Sequence, residues 1–183
     1  MKKQSEDKLL NVDIILRKAG VGEKMVVADL GCGAAGHFVF PSAEMVGKEG
    51  KVFAVDILKK TLENIKRKVY LDNVKNIIPV WSNLEVFKGT KLEPGSMDIA
   101  MLINTLHQSN HRAAILREAT RILKKGGSMM VVEWKKTNLV FGPTVENRVD
   151  PKHIIQVAQK LGLSLGEEFF AGKYHYGLIF HKL

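Results

Sequence analysis

Short apolar segments alternate with predicted helices along most of this 183-residue chain. Five of the segments are predicted to be strands, and most are rich in Val, Ile or Met. They span residues 25–29, 51–56, 77–80, 97–103 and 128–134. Helices are predicted between them at 37–46, 57–70 and 112–123. The third strand is short and contains a proline, which predicts a position near the sheet edge. Strands joined through helices pair in parallel, so the alternation predicts an α/β fold with a Rossmann-like, doubly wound, mostly parallel sheet.

The two ends of the chain extend this pattern. Apolar residues recur at helical spacing before Gly20 and predict a helix within residues 1–20; they are Leu9, Val12, Leu16 and Ala19. Two strands are predicted near the C-terminus, at 163–169 and 176–181. Because no crossover helix separates them, we expect an antiparallel hairpin at the sheet edge. No repeat or linker divides the sequence, so we expect residues 1–183 to form a single domain.

The segment that follows the fifth predicted strand has a different character. Residues 135–150 have no clear periodicity and contain a Gly-Pro pair at 142–143, so we interpret them as a surface loop or lid. The next segment, 151–161, has the pattern of a helix. Asp150 is its predicted N-cap, and Pro151 occupies its first turn, where a missing N–H costs nothing.

Composition excludes several classes of protein. The hydrophobic fraction of 45% and the charged fraction of 26% are those of a globular domain. No apolar run approaches the ~18 residues of a membrane span, and the polar residues 1–8 do not precede the apolar segment of a secretory signal. The single cysteine, Cys32, excludes an internal disulfide and argues against a cysteine-based zinc site. We therefore expect a cytoplasmic protein without a metal.

The chain is basic, with a net charge of +9. This charge would attract anions, including RNA or acidic metabolites. The alternative is an ordinary solvated basic surface, which we favour because the lysines are spread along the whole chain. The densest basic segment, residues 59–68, is predicted to be the exposed face of a helix.

A glycine-rich loop, from Asp29 to Gly36, links the first predicted strand to a helix. Glycine permits positive φ and close approach of a ligand to the backbone, and such loops are typical of nucleotide-binding folds. Asp29 discriminates between ligands: it would repel the pyrophosphate of a dinucleotide but suits the cationic groups of S-adenosylmethionine (SAM). We therefore predict that the loop binds SAM, with a nicotinamide dinucleotide as the alternative. Its cofactor-binding residues are predicted to be Asp29, Gly31, Cys32, Gly33 and Gly36.

Two further positions complete the predicted cofactor site. Asp56 ends the second strand, where its carboxylate can accept from both ribose hydroxyls; the alternative is an N-cap of the next helix. Asn83 follows the third strand and is either a partner of the adenine ring or a plain turn residue. Leu84 and Ile57 are expected to flank the adenine by apolar contact.

In these motifs the chain resembles class I SAM-dependent methyltransferases, in particular the branch with the ubiquinone/menaquinone-biosynthesis methyltransferases. The matching segments are 27–33 with Gly36, Asp56, 97–99 with 104–107, and 116–127. The resemblance covers roughly residues 10–135. It implies a seven-stranded sheet whose last strand is inserted antiparallel, SAM as methyl donor and S-adenosylhomocysteine as product. The family usually has an acid at the position of Asn83. This sequence therefore departs from the family pattern at the predicted adenine contact.

Methyl transfer from a sulfonium depends mainly on positioning and desolvation, and a base is needed only if the acceptor must lose a proton. His107, just beyond the fourth strand, is the candidate catalytic base; equally, it packs against or caps the next helix. His111 and Asn104 are nearby second candidates, and Asn104 is also assigned to the cofactor site.

The acceptor is expected to be a small molecule. The turn at 104–107 lacks the Asn/Asp-Pro-Pro-aromatic motif of amino-group methylation, and Cys32 belongs to the cofactor loop, which leaves no cysteine for attack on a pyrimidine. Arg148, Tyr174 and His175 are candidate acceptor-orienting residues. The short chain leaves the acceptor pocket either open or completed by a second subunit in a homodimer. The alternatives are an RNA methyltransferase and a SAM- or nucleic-acid-binding module without catalysis.

Overall fold

A seven-stranded sheet covered by helices on both faces forms the centre of the computed structural model, which describes residues 10–137 and 141–183. The strands are β1 (Val26–Leu30), β2 (Lys51–Asp56), β3 (Ile77–Trp81), β4 (Met97–Ile103), β5 (Leu123–Trp134), β6 (Leu163–Phe170) and β7 (His175–Lys182). The α-helices within these residues are α1 (Val12–Ala19), α2 (Val39–Val46), α3 (Lys59–Leu71), α4 (Arg112–Ile122) and α5 (Pro151–Lys160). A single 3-10 turn, Leu106–Gln108, follows β4.

The strand order is β3-β2-β1-β4-β5-β7-β6. Neighbours from β3 to β5 pair in parallel, whereas β7 pairs antiparallel with both β5 and β6. The predicted fold class, the C-terminal hairpin and the inserted last strand are thus confirmed. The order reverses between β1 and β4, and a crevice opens beyond the carboxyl ends of such strands in α/β sheets.

Each face of the sheet carries its own apolar core. On one face, side chains such as Val27, Met101 and Val132 pack with residues of α1, α2 and α3. On the other face, Leu102 and Val131 pack with residues of α4 and α5. Burial on both sides explains the uninterrupted apolar character of the central strands. In the described part of the chain, no helix combines the length and the apolar character needed to cross a membrane.

Side-chain caps account for the starts of two of the five described α-helices. Asn11 caps α1 by accepting the N–H of Ile14 at 3.2 Å. Asp150 caps α5 by accepting the N–H of Lys152 at 2.9 Å, with Pro151 as the first helical residue. The predicted cap at Asp150 is therefore confirmed.

Several boundaries differ from the predictions, and three of the differences are informative. The N-terminal helix begins at Val12, and Leu9 lies outside the described residues. Helix α3 begins at Lys59 rather than at 57, because the residues before it turn around the Asp56 carboxylate. Strand β5 begins directly after α4, at Leu123, which pairs with Met97 before the register shifts. The predicted stop at 124–127 therefore lies inside a strand.

Candidate functional site

A cleft of about 510 Å³ lies where the strand order reverses, at the carboxyl ends of β1, β2, β3 and β4. Six of the predicted cofactor-binding residues are on its wall: Gly31, Gly33, Asp56, Ile57, Asn83 and Leu84. The sheet topology alone predicts a ligand site at this point. The described structure thus brings together the loops after four separate strands, as expected from the sequence.

The glycine loop shapes the floor of the cleft. Gly31 and Gly33 have φ values of +85° and +65°, which L side chains rarely adopt. A Cβ on Gly31 would lie 2.7 Å from Oγ1 of Thr105, whose hydroxyl donates to the Leu30 carbonyl at 3.0 Å. A Cβ on Gly33 would meet open space. The missing side chain at Gly31 therefore lets the loops after β1 and β4 pack together. At Gly33 it leaves the backbone open to a ligand.

The other predicted loop residues support the cleft from behind. Cys32 is buried in the core beneath the loop, and burial raises the pKa of its thiol far above the ordinary value. Its N–H donates to the Val55 carbonyl at 3.0 Å. A Cβ on Gly36 would lie 2.8 Å from side-chain atoms of Ile65 and Phe40, so Gly36 lets α3 pack against the loop.

Two carboxylates flank the loop at the ends of adjacent strands. Asp29 is 3% exposed, and burial together with the negative charge of Asp56 raises its pKa from 3.8 to about 7. Two neighbouring acids of this kind favour a ligand that carries positive charge. The electrostatics of the site therefore favour binding of a cation near the end of β1.

Backbone N–H groups hold the Asp56 carboxylate in place. Its Oδ1 accepts from Leu58 at 2.8 Å and its Oδ2 from Gly33 at 3.1 Å. Each oxygen retains further acceptor capacity toward the cleft. Asp56 does not provide a side-chain cap for α3, whose N-cap is Leu58. Its contacts instead fix the loop after β2 against the glycine loop.

The far end of the cleft is formed by the turn after β3. Asn83 Oδ1 accepts the N–H of Glu85 at 2.9 Å, so its carbonyl is used within the turn. Glu85 accepts from the hydroxyl of Ser109 at 2.6 Å, which links this turn to the segment after β4. Leu84, after β3, is 8% exposed, and Ile57, after β2, is 52% exposed. Both contribute apolar surface to the cleft.

The segment after β4 contains an unpartnered buried acceptor. Asn104 has a φ of +54°, and its N–H donates to the Val132 carbonyl at 2.8 Å. Its Oδ1 is buried without a hydrogen-bond partner among the described residues. A buried acceptor of this kind is suited to a donor that a ligand supplies.

His107 is paired with a buried glutamate that sequence reasoning missed. His107 lies in the 3-10 turn, and its Nδ1 is 3.0 Å from Oε2 of Glu133. Glu133, near the end of β5, has no exposed side-chain surface. The other oxygen of Glu133 accepts the N–H groups of Leu106 at 2.6 Å and His107 at 3.3 Å. The two residues form a dyad beside the cleft.

An aromatic cluster covers the end of β5 beyond the dyad. It comprises Trp134, Phe141, Tyr174 and His175, with ring centroids 4.2 Å apart for Trp134 and His175 and 4.7 Å apart for Phe141 and Tyr174. His175 is fully buried, and neither ring nitrogen has a partner among the described residues. Burial, together with the electrostatic influence of His107, Lys135 and Arg148, lowers its pKa to about 4, so its imidazole is neutral.

Arg148 has a different position from the one expected for an acceptor-orienting residue. It is 3% exposed, and its guanidinium donates to backbone carbonyls of the preceding loop. These belong to Pro143 at 2.9 Å, Phe141 at 3.0 Å, Lys135 at 3.3 Å and, by a closer contact, Thr137. Residues 135–137 and 141–150 contain no helix or strand, and residues 138–140 lie outside the described part of the predicted lid. Arg148 therefore stabilises this loop.

Several cleft residues were not predicted from the sequence: Thr61, Ser82, Glu85, Thr105, Gln108 and Ser109. Five of them lie within two residues of a predicted site position, so adjacency to the strand ends was the available signal. Ser82 is the most informative, since its hydroxyl is buried without a partner among the described residues. Glu133 had no such signal, because only the pairing of β4 with β5 places it beside His107.

Comparisons with known proteins agree with this architecture. A family model described as "Methyltransferase domain" matches residues 22–167. The chain is 30% identical over 118 residues to the demethylmenaquinone methyltransferase of Lactococcus lactis, covering 64% of this chain and 45% of that protein. It is 31% identical over 122 residues to the ubiquinone/menaquinone biosynthesis C-methyltransferase UbiE of Francisella philomiragia, covering 66% and 47%. The chain thus spans less than half the length of these curated relatives.

Solved structures share the fold over nearly the whole chain. The crystal structure of a SAM-dependent methyltransferase from Aquifex aeolicus superposes with a TM-score of 0.86 at 24% identity. The superposition covers 96% of this chain and 91% of that one. At this level of identity the likeness shows a common fold, including the inserted antiparallel strand.

Proposed function

The chain belongs to the methyltransferase-domain family, and on this basis we propose that it transfers a methyl group from SAM to a small-molecule acceptor. The family match confirms the resemblance found in the sequence. Fold alone does not define a reaction, because one fold supports many functions. The proposal therefore rests on the chemistry of the cleft.

The observation that carries the proposal is the pair of carboxylates on either side of the glycine loop. Asp29 is buried beside Asp56 with a raised pKa, so an anionic ligand would increase the electrostatic cost. SAM carries an ammonium and a sulfonium, which would reduce it. Asp56, fixed by two N–H groups, is placed to accept from ribose hydroxyls. The unpartnered Oδ1 of Asn104 adds an acceptor.

The mechanism assigned to these residues is mainly binding and orientation. SAM supplies a methyl group on a sulfonium, which is already a good leaving group. Gly33 allows close approach to the backbone, Asp56 orients the ribose, and Leu84 with Ile57 flanks the base. Positioning of this kind accounts for much of the rate in a displacement between two held reactants.

A small-molecule acceptor is supported by the names of two relatives. The matched proteins of Lactococcus and Francisella are named for the methylation of demethylmenaquinone and for ubiquinone/menaquinone biosynthesis. The aromatic cluster of Trp134, Phe141, Tyr174 and His175 lies beyond the dyad, with Phe141 exposed and Trp134 buried. Tyr174 is half-buried and remains our candidate for orienting the acceptor, whereas His175, our other candidate, is fully buried and supports the cluster from within.

Calorimetric titration of the purified protein tests the proposal. SAM and S-adenosylhomocysteine should bind with one site per chain, whereas NADH should not bind. Methyl transfer from radiolabelled SAM to a panel of small molecules should then be detectable. Binding of NADH without SAM would contradict the proposed cofactor. Tight SAM binding without transfer to any acceptor class would favour the alternative of a non-catalytic binding module.

A second candidate function is RNA methylation. The net charge is +9, and helix α3, whose N-cap Leu58 lines the cleft, exposes Lys59, Lys60, Lys66, Arg67 and Lys68. Such a face would bind phosphates, and its affinity for RNA should fall steeply as salt is raised. Absence of RNA binding at low salt would eliminate this candidate.

A further inference from the structure

We propose that Glu133 positions His107 as a general base, and that the acceptor therefore carries an ionisable hydroxyl group to which the methyl is transferred. This inference rests on the proposed function and specifies its acceptor. It follows from the way one buried carboxylate is shared between a backbone turn and an imidazole. Neither a buried glutamate alone nor a histidine alone would support this inference.

The Glu133 side chain is enclosed at the end of β5. Its Oε1 accepts two backbone N–H groups, from Leu106 and His107, and its Oε2 lies 3.0 Å from His107 Nδ1. A fully buried carboxylate has a high desolvation cost, which these three contacts reduce. The same three contacts lock the turn that holds His107. The geometry of the turn and the orientation of the ring are therefore set together.

The pairing determines which ring nitrogen is available. An ionised carboxylate can only accept, so Nδ1 must carry the hydrogen in the neutral imidazole. Nε2 is then an unprotonated acceptor, and no described residue hydrogen-bonds to it. The His107 side chain is 15% exposed, so the ring is accessible at one side only. A buried carboxylate that fixes the tautomer of a histidine and stabilises its protonated form is the arrangement of a general base.

The position of the dyad relative to the cleft fits this role. His107 lies between Thr105 and Gln108, which both line the cleft at the end of β4. The carboxylate pair of Asp29 and Asp56 is on the neighbouring strands β1 and β2. A donor bound along those strand ends would present its methyl group on the side of the fourth strand, next to the imidazole.

The proposed step is a single displacement. The acceptor hydroxyl gives its proton to Nε2 of His107, and its oxygen attacks the methyl carbon of bound SAM. A carbon–oxygen bond forms while the carbon–sulfur bond breaks, and the electron pair of that bond remains on sulfur. The products are the methyl ether, neutral S-adenosylhomocysteine and an imidazolium held by Glu133. The imidazolium then returns its proton to water.

The need for a base selects the class of acceptor. A carboxylic acid is already ionised at neutral pH, and a thiol with a pKa of about 8.5 is partly ionised, so neither depends strongly on a base. A phenolic hydroxyl, with a pKa of about 10, is a weak nucleophile until its proton is removed. A neutral imidazole is suited to take that proton. An enolic or phenolic hydroxyl is thus the group that this dyad serves.

A structural role for Glu133 is the competing explanation, and the chain offers a matched control. Glu118 of α4 is equally buried and accepts the N–H groups of Lys88 and Thr90 together with the guanidinium of Arg121. It contacts no histidine. Glu118→Gln therefore removes a buried charge with similar backbone contacts at a distance from the proposed base.

The experiment measures methyl transfer from radiolabelled SAM to a phenol, a catechol, a thiol, a carboxylic acid and a tertiary amine. We expect transfer to the hydroxyl compounds. In His107→Gln, kcat should fall by about 10²- to 10⁴-fold, the usual contribution of a general base, with SAM affinity unchanged. In Glu133→Gln, kcat should fall by about 10-fold or more, and Glu133→Asp should recover part of it. Glu118→Gln should lower the Tm without changing kcat.

Several outcomes would overturn the inference. Unchanged kcat in both dyad variants would do so, as would transfer only to the tertiary amine or to none of the hydroxyl compounds while SAM still binds. Failure to bind SAM would instead contradict the proposed function. If Glu133→Gln does not fold, nitrogen-15 NMR of the wild-type imidazole decides between the explanations. A neutral His107 with its hydrogen on Nδ1 supports the dyad, and one with its hydrogen on Nε2 refutes it.

Discussion

Replacing Asp29 with asparagine should stabilise the ligand-free protein at neutral and higher pH. The carboxyl is enclosed beside Asp56, and its pKa rises from 3.8 to about 7 on folding. The folded state therefore holds this proton more tightly than the unfolded state. As pH rises through this interval, the wild type loses stability that an uncharged asparagine of similar shape retains.

The size of the effect follows from the shift. One pKa unit corresponds to about 1.36 kcal/mol, so a shift of roughly three units makes the ionised Asp29 cost about 4 kcal/mol. Asp29→Asn should thus raise the free energy of unfolding by up to about 4 kcal/mol above pH 7. At a pH well below 3.8 the carboxyl is protonated in both states, and the difference between variant and wild type should approach its pH-independent minimum.

Urea unfolding measured at several pH values between 4 and 8.5 provides the test. Asp72→Asn is a suitable control, because Asp72 is exposed at the end of α3. The gap between the Asp29 variant and the wild type should widen steadily from pH 4 to pH 8, whereas the control should show no such trend. A gap that does not change with pH would refute the assignment of an uncompensated buried charge.

The same charge should couple to ligand binding. A cationic ligand requires the ionised form of Asp29, so wild-type affinity for SAM should increase as pH rises toward about 7 and level off above it. Asp29→Asn should bind SAM more weakly and without this pH dependence. A wild-type affinity that is constant from pH 5.5 to 8 would show that the cation does not lie near Asp29.

Three further substitutions test other parts of the site. Asp56→Ala should weaken SAM binding by about 1–3 kcal/mol, the range for hydrogen bonds to charged groups, and unchanged affinity in calorimetry would remove Asp56 from the ribose site. Gly33→Val should abolish SAM binding, because the new side chain enters the cleft. Gly126→Val is the control: Gly126 also has a positive φ and faces open space, so this variant should lower the Tm but retain binding. Arg148→Met should increase proteolytic cleavage within 135–150, because it removes the donor to several carbonyls that hold this loop; unchanged cleavage would contradict the stabilising role of Arg148.

Much of the fold is encoded locally and was therefore predictable. Strands such as β4 are continuous apolar runs because both faces of the sheet are covered, and a run of that kind is visible in a short window of sequence. The Asp150 cap and the proline beside it act within one helical turn. The boundaries that differed, at the starts of α3 and β5, depend on contacts with Asp56 and with Met97 of a distant strand.

The candidate site divides in the same way. The glycine loop and Asp56 follow strand ends directly, so the topological rule for parallel sheets places them together before any coordinates are known. Asn104 and His107 were identified by the same argument. The use of Cys32 and Gly36 for packing was not, because it depends on what lies behind the loop.

The amino-acid sequence by itself determined the alternation of strands and helices and the acidic residues at the ends of β1 and β2. Those features belong to residues close together in the chain. The tertiary structure decided which charges are buried and which residues are partners. Glu133 meets His107 across 26 positions because β5 pairs with β4. Burial strengthens that contact, and it also strengthens the repulsion between Asp29 and Asp56. Desolvation is a property of the packed molecule, and no sequence window contains it.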